Sequence, residues 1–211
     1  MRRLNNSETE AALLRGEPHV CLPNAGDKPN RRTDTSAIEE AVSKRRYDVV
    51  DKIGIDPRRD NLDCLFESVC LTGDAGMVDK LLSLGAQPKG KDCSQRPMEN
   101  AMWHLRHQME SHFGLRSEAA AKDSIDLVVR LADLGARWNP HISDLRRLRR
   151  ELIHFGLDLT ESMVMAFREH QVCAPEVLLK LIGSPKMKTT LRFRYKRLVE
   201  LLKTKPQTDP R

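Results

Sequence analysis

The chain has 211 residues, enough for one medium domain with a real core, yet only 39% of them are apolar and 31% are charged, which suits an elongated, surface-rich shape. Aromatic residues make up 4%, so the core is expected to be aliphatic, and readers of single-stranded nucleic acid that stack bases on rings are disfavoured. The net charge of +6 is concentrated near the C-terminus: between Lys186 and Lys205 eight basic residues face Glu200 alone, which points to an acidic partner, either nucleic acid or an acidic protein face.

In chain order, residues 1–33 read as a mobile arm with one short helix, opened by the capping box Ser7-x-x-Glu10 and stopped at Gly16. Helical spacing begins with Ala37, Ile38, Ala41 and Val42, capped by Thr35 or Ser36. A second helix carries Val49, Val50 and Ile53 and ends at Gly54. A third places Leu62, Leu65, Phe66, Val69 and Cys70 on one face up to Gly73; a fourth places Met77, Val78, Leu81, Leu82 and Leu84 before Gly85-Ala86.

The ending recurs. Ser124 to Asn139 (SIDLVVRLADLGARWN) again closes an apolar helix with Gly-Ala. A helix this short cannot bury its own stripe and must stack on a neighbour like itself. Leu65 to Ala86 resembles an ankyrin repeat, with Gly73 at the inter-helix glycine and Met77-Val78, Leu81-Leu82 and Gly85-Ala86 at the paired valines, paired leucines and terminal Gly-Ala. Pro97-Met98-Glu99-Asn100-Ala101 matches the Pro-Leu-His-x-Ala position of a further unit, with Glu99 in place of His, and Leu127-Val128, Leu131, Gly135-Ala136 and Asn139 complete it. Departures are an interval of 28 residues from Val49-Val50 to Met77-Val78, a missing inter-helix Gly in the first unit, and about 17 extra residues between Met102 and Ser124, expected to lengthen one helix and then form a loop.

After Pro140 the helices continue. Leu145, Leu148, Leu152 and Phe155 lead to Gly156. Thr160 is expected to cap a helix through Met163, Val164 and Phe167. Pro175 opens another with Val177, Leu178, Leu181 and Ile182, stopped at Gly183-Ser184-Pro185, and Leu191, Tyr195, Leu198 and Leu202 share a face of the last helix. The expected architecture is therefore all-α: an ankyrin-like helical repeat solenoid over 34–140, a divergent C-terminal helical cap over 141–205 with a basic last helix, and a disordered tail over 206–211.

The resemblance implies a non-enzymatic protein–protein interaction module, an adaptor, immunity or regulatory subunit that grips another protein through its concave face and hairpin tips. The tip residues are Gln87, Lys89, Lys91, Arg137, Trp138 and His141. Trp138 has two readings, an exposed anchor or a side chain packed back on the adjacent unit. The alternative function is a nucleic-acid-associated factor in which Arg192, Lys196 and Lys203 contact phosphates along one flank of the last helix. Arg146, Arg147, Arg149 and Arg150 form a second basic element, read chiefly as a solvated face.

Chemistry-bearing clusters are sparse. His104, His107 and His112 lie close to Cys93 in sequence but offer only two well-placed zinc ligands, so an ordinary polar helix surface is preferred. His170 with Cys173 matches no nucleophile turn. An enzyme using the His104/His107 region is the least favoured reading, and no metal or cofactor is expected. The five cysteines are odd in number and without C-x-x-C, no apolar run approaches membrane length, and MRRLNNSETEAALLRG lacks a signal-peptide core. A cytoplasmic protein with reduced thiols is the expectation.

Overall fold

Short amphipathic segments separated by Gly, Pro and Asx residues fold here as eleven described helices. The computed structural model describes residues 37–58, 60–89, 96–110, 117–155, 157–191 and 194–204. Among them the secondary structure is all-α, without a strand. The N-terminal arm, the tail, Lys91, Cys93, His112, Gly156 and Arg192 lie outside the described residues. The chain divides into two units, one ending at Gln87 and one starting at Pro88, a division that falls inside the segment read as repeats.

The first unit contains α1 (Ala37–Ser43), α2 (Tyr47–Ile53), α3 (Leu62–Thr72) and α4 (Ala75–Ser83). Two of these helices start on side-chain caps: Asn61 accepts from the Cys64 N–H at 3.3 Å and Asp74 from the Met77 N–H at 2.7 Å. α1 packs on α2 and on α3, and α3 packs on α4. Lys80 on α4 joins Asp51 on α2 at 2.7 Å. The interior is aliphatic as expected, built from Val42, Val50, Leu65, Val69, Val78 and Leu81 around Phe66.

The second unit contains α5 (Arg96–Met109), α6 (Glu118–Asp133), α7 (Ile142–Phe155), α8 (Leu157–Glu169), α9 (Pro175–Ile182), α10 (Pro185–Leu191) and α11 (Arg194–Lys203). α5 packs on α6 and α7 on α8; α5 also packs on α7, and α6 on α8. Hence α5 and α7 lie side by side in one layer, backed by α6 and α8 in another. α9 packs on both α7 and α8, α10 on α7, and α11 on α9 and α10. Arg194 ties the start of α11 to Asp158 and Glu161 of α8 at 2.8 and 2.6 Å, and Arg168 of α8 reaches the Thr204 hydroxyl at 3.0 Å just past the end of α11.

Helix α4 ends in a left-handed turn. Gly85 (φ 99°) donates to the Leu82 carbonyl and Ala86 to the Leu81 carbonyl, the reciprocal pair that caps a helix C-terminus. α6 ends identically: Gly135 (φ 88°) donates to Ala132 and Ala136 to Leu131. So does α8, where Gln171 (φ 52°) donates to Arg168 and Val172 to Phe167. In each case the residue after the turn is buried: Ala86, Ala136 and Val172. Superposing the turns aligns Met77-Val78, Leu127-Val128 and Met163-Val164, all six side chains buried. The C-terminal helices thus contain a third copy of the pattern, with Gln171 where the first two have Gly. α1 closes the same way on Arg45 (φ 56°), whose N–H bonds to Val42 while that of Arg46 bonds to Ala41. The Arg45 guanidinium donates to the Thr72 carbonyl at 2.7 Å, so the first unit's missing glycine is replaced by a residue that gains a hydrogen bond in return.

Three helix limits differ from expectation. α6 starts at Glu118, before Ser124, because Ser117 accepts from the Ala120 N–H at 3.1 Å and the following alanines favour helix; Ser124 is buried mid-helix with its hydroxyl on the Ala120 carbonyl. Thr160 does not open its helix: α8 starts at Leu157, and Thr160 is buried inside it, its hydroxyl 3.4 Å from the Leu152 carbonyl. The stop at Gly183-Ser184-Pro185 opens α10, where Ser184 Oγ accepts from the Met187 N–H at 3.3 Å, and Leu191 belongs to that helix.

Gln171→Gly is expected to raise stability by about 1 kcal/mol in urea unfolding, because it relieves left-handed strain where the side chain makes no hydrogen bond among the described residues. Asp74→Ala removes the α4 cap and is expected to lower it by about 1 kcal/mol.

Candidate functional site

Of the residues expected at the tips, Trp138 and Arg137 are taken up by the fold, whereas Gln87, Lys89 and His141 are exposed. Trp138 is 5% exposed. Its N–H backbone group donates to the Val172 carbonyl at 2.7 Å, and its ring meets Phe167 of α8 edge-on, centroids 6.4 Å apart at 78°. An exposed anchor is therefore excluded, and the packed-back reading of Trp138 holds. The sparse aromatic content leaves few large side chains for the core, so a Trp beside the turn is drawn inward. Arg137 is exposed overall, but its Nη1 donates to the Ala132 and Ala136 carbonyls at 2.5 and 2.8 Å, satisfying the C-terminal end of α6. The His141 carbonyl accepts from the Asp144 N–H at 3.0 Å at the start of α7, while its ring Nδ1 lies 3.0 Å from Ser143 Oγ.

Lys89 is exposed, and the end of its stem lies against Gly135, where a Cβ would come within 3.0 Å of Lys89 Cε. Gln87 is exposed; its N–H donates to Asp63 at 3.2 Å. Lys91 is outside the described residues.

The basic elements separate into working and outward groups. Arg149 turns from α7 to the C-terminus of α9, donating to the Leu181 and Lys180 carbonyls at 3.0 and 2.5 Å, where a cation also meets the negative end of the helix dipole. Arg146, Arg147 and Arg150 point outward and carry no hydrogen bond or ion pair among the described residues. On α11, Lys196 and Lys203 are likewise exposed and unpaired among the described residues, whereas Arg194 is held by Asp158 and Glu161. Lys188 Nζ sits 5.4 Å from the Tyr195 ring centre.

The histidines do not converge. His104 is buried in α5, whereas His107 is exposed and stacks on Trp103, centroids 5.0 Å apart at 14°. Among the described residues no group of three or more His, Cys, Asp or Glu side chains is placed to hold a metal ion. His170 spends its Nδ1 on Asp133 at 2.8 Å, which links the ends of α8 and α6. Burial pushes the Cys173 thiol up to about 12, and burial with the nearby Glu67 carboxylate does the same for Cys70; neither is poised as a thiolate nucleophile. No helix among the described residues is long and apolar enough to cross a membrane.

Sequence reasoning passed over Trp103, 43% exposed and the most exposed aromatic among the described residues, and Ile142, 56% exposed. A signal was available for the first: Trp103 falls opposite the Met98, Met102, Leu105 stripe of α5, on the polar side of the helix.

Alkylation of the native protein at pH 8 is expected to modify the exposed Cys64 rapidly, while Cys70 and Cys173 react only on the timescale of opening, as read by peptide mass mapping. Above pH 9 these two thiols ionise in the unfolded chain but not in the native one, so stability should decline as pH rises towards 12. Comparison with protein-family models, curated proteins and solved structures finds no match.

Proposed function

We propose that the protein is a non-enzymatic docking module: a divergent, ankyrin-like stack of helix pairs that binds a partner protein through the outer face of its helices. One observation carries this reading. Helices α5 and α7 lie side by side on α6 and α8, with their main aliphatic stripes buried and a largely polar and cationic face, bearing Trp103 and Ile142, turned out. The recurrence of the same left-handed closure in α4, α6 and α8 supports a repeated building unit. Such a surface binds by shape and polar complementarity, with no bond made or broken. The absorption of His170 into a link to Asp133, and of the Cys70 and Cys173 thiols into the core, supports a non-catalytic role.

A second reading, phosphate binding by the last helix, is favoured by the outward, unpaired Lys196 and Lys203 on α11 among the described residues. It calls for binding that weakens steeply with salt.

Purification of the tagged full chain from its native host, followed by reconstitution from purified components, is expected to yield a stoichiometric complex with one protein, of about micromolar Kd or tighter. Recovery of nucleic acid alone, released by nuclease and by raised salt, would replace the docking reading with the phosphate one.

A further inference from the structure

Trp103 and His107 form a stacked pair on the outer stripe of α5. On the outer stripe of α7, the helix that packs against α5, stand Arg146, Arg147 and Arg150, with Ile142 exposed at the start of that helix. The two stripes share one side of the molecule, because α5 and α7 lie in the same layer and both turn their opposite faces to α6 and α8. Arg106 bridges the helices here, its Nη1 3.9 Å from Asp144 of α7, so the two stripes are held in a common frame. Resting on the docking reading above, we infer that this α5/α7 face is the docking surface, and that its occupant is an acidic segment of a partner protein carrying an aliphatic or aromatic residue for Trp103.

Charge and chemistry argue for that occupant. Three guanidinium groups within two turns of helix have no internal counter-charge among the described residues. Arginine forks match carboxylates bidentately and keep less water than ammonium groups, so a carboxylate-bearing segment gains most from this spot. An exposed Trp on one helix and exposed arginines on the helix packed against it have the composition of an interface hot spot, and the ring already lies flat on His107, so little freedom is lost on binding. A nucleic-acid backbone fits less well. Glu99 is exposed on the same stripe of α5 as Trp103, and Asp144 lies at the α5/α7 seam. These carboxylates interrupt the continuous positive track that a polyanion follows. The cationic cluster is compact and local, suited to a short segment with one anchor. Arg149, one turn from Arg146 on the same helix, is excluded from the surface because both its donors are spent on α9.

The test uses the full chain as wild type and as three variants: W103A, R146E/R147E/R150E, and K196E/K203E on α11 as a control. None of these side chains is buried, so helical circular-dichroism melts should be unchanged; if the triple variant melts early, R147E alone takes its place. A phage-displayed library of random linear peptides is selected on the wild type. The expected result is a consensus of Asp or Glu beside a Leu, Met or aromatic residue, with affinity falling about tenfold or more in W103A and in the charge reversal and holding in K196E/K203E. A neutral or basic consensus, no enrichment, or equal binding to the charge-reversed variant overturns the assignment. Displacement of the peptides by a single-stranded DNA oligonucleotide that binds more tightly, with steep salt dependence, overturns it in favour of nucleic acid on this face. The reconstituted complex separates the two levels: if the purified partner binds the variants normally, the α5/α7 face is wrong and the docking module stands, whereas absence of any protein partner removes both.

Discussion

A left-handed residue closes α4, α6 and α8 alike, and the burial of the side chain that follows each helix depends on that turn. It reverses the chain within two residues, satisfies two terminal carbonyls, and turns the next side chain, Ala86, Ala136 or Val172, into the interior. Lys80 reaches Asp51 in the first unit, and His170 reaches Asp133 in the second, each joining a later helix to an earlier one near the closure.

Where this closure uses glycine, it is legible in the sequence. Met77-Val78 followed by Gly85-Ala86, and Leu127-Val128 followed by Gly135-Ala136, are spaced alike because the same side chains must point inward. The third instance, Met163-Val164 followed by Gln171-Val172, carries the same buried positions but no glycine, and so reads as an ordinary helix end. Polar residues tolerate the left-handed region at modest cost, which hides the turn from a search for Gly-Ala. Helix starts were less legible still. Serines and threonines compete for caps with mid-helix roles, and only geometry separates Ser117, a cap, from Ser124 and Thr160, buried donors to backbone carbonyls.

The outward surface was the least legible part. A tryptophan next to a turn and a run of arginines carry no mark of which way they face. Trp138 turned in, against Phe167, while Trp103 turned out on a helix otherwise rich in Met and Leu. One arginine of four, Arg149, became a helix cap, and the other three remained at the surface. That division depends on α9 ending where it does, a fact set by tertiary packing and invisible to a pattern of charges.

The closures also bear on how the chain acquires its structure in time. Each is sealed by hydrogen bonds between residues three and five positions apart, and within each unit the helices pair mainly with close neighbours along the chain. Such local wiring gives a low contact order, so little loop-closure entropy is lost before contacts begin to repay it. A polypeptide wired in this way reaches its native state quickly.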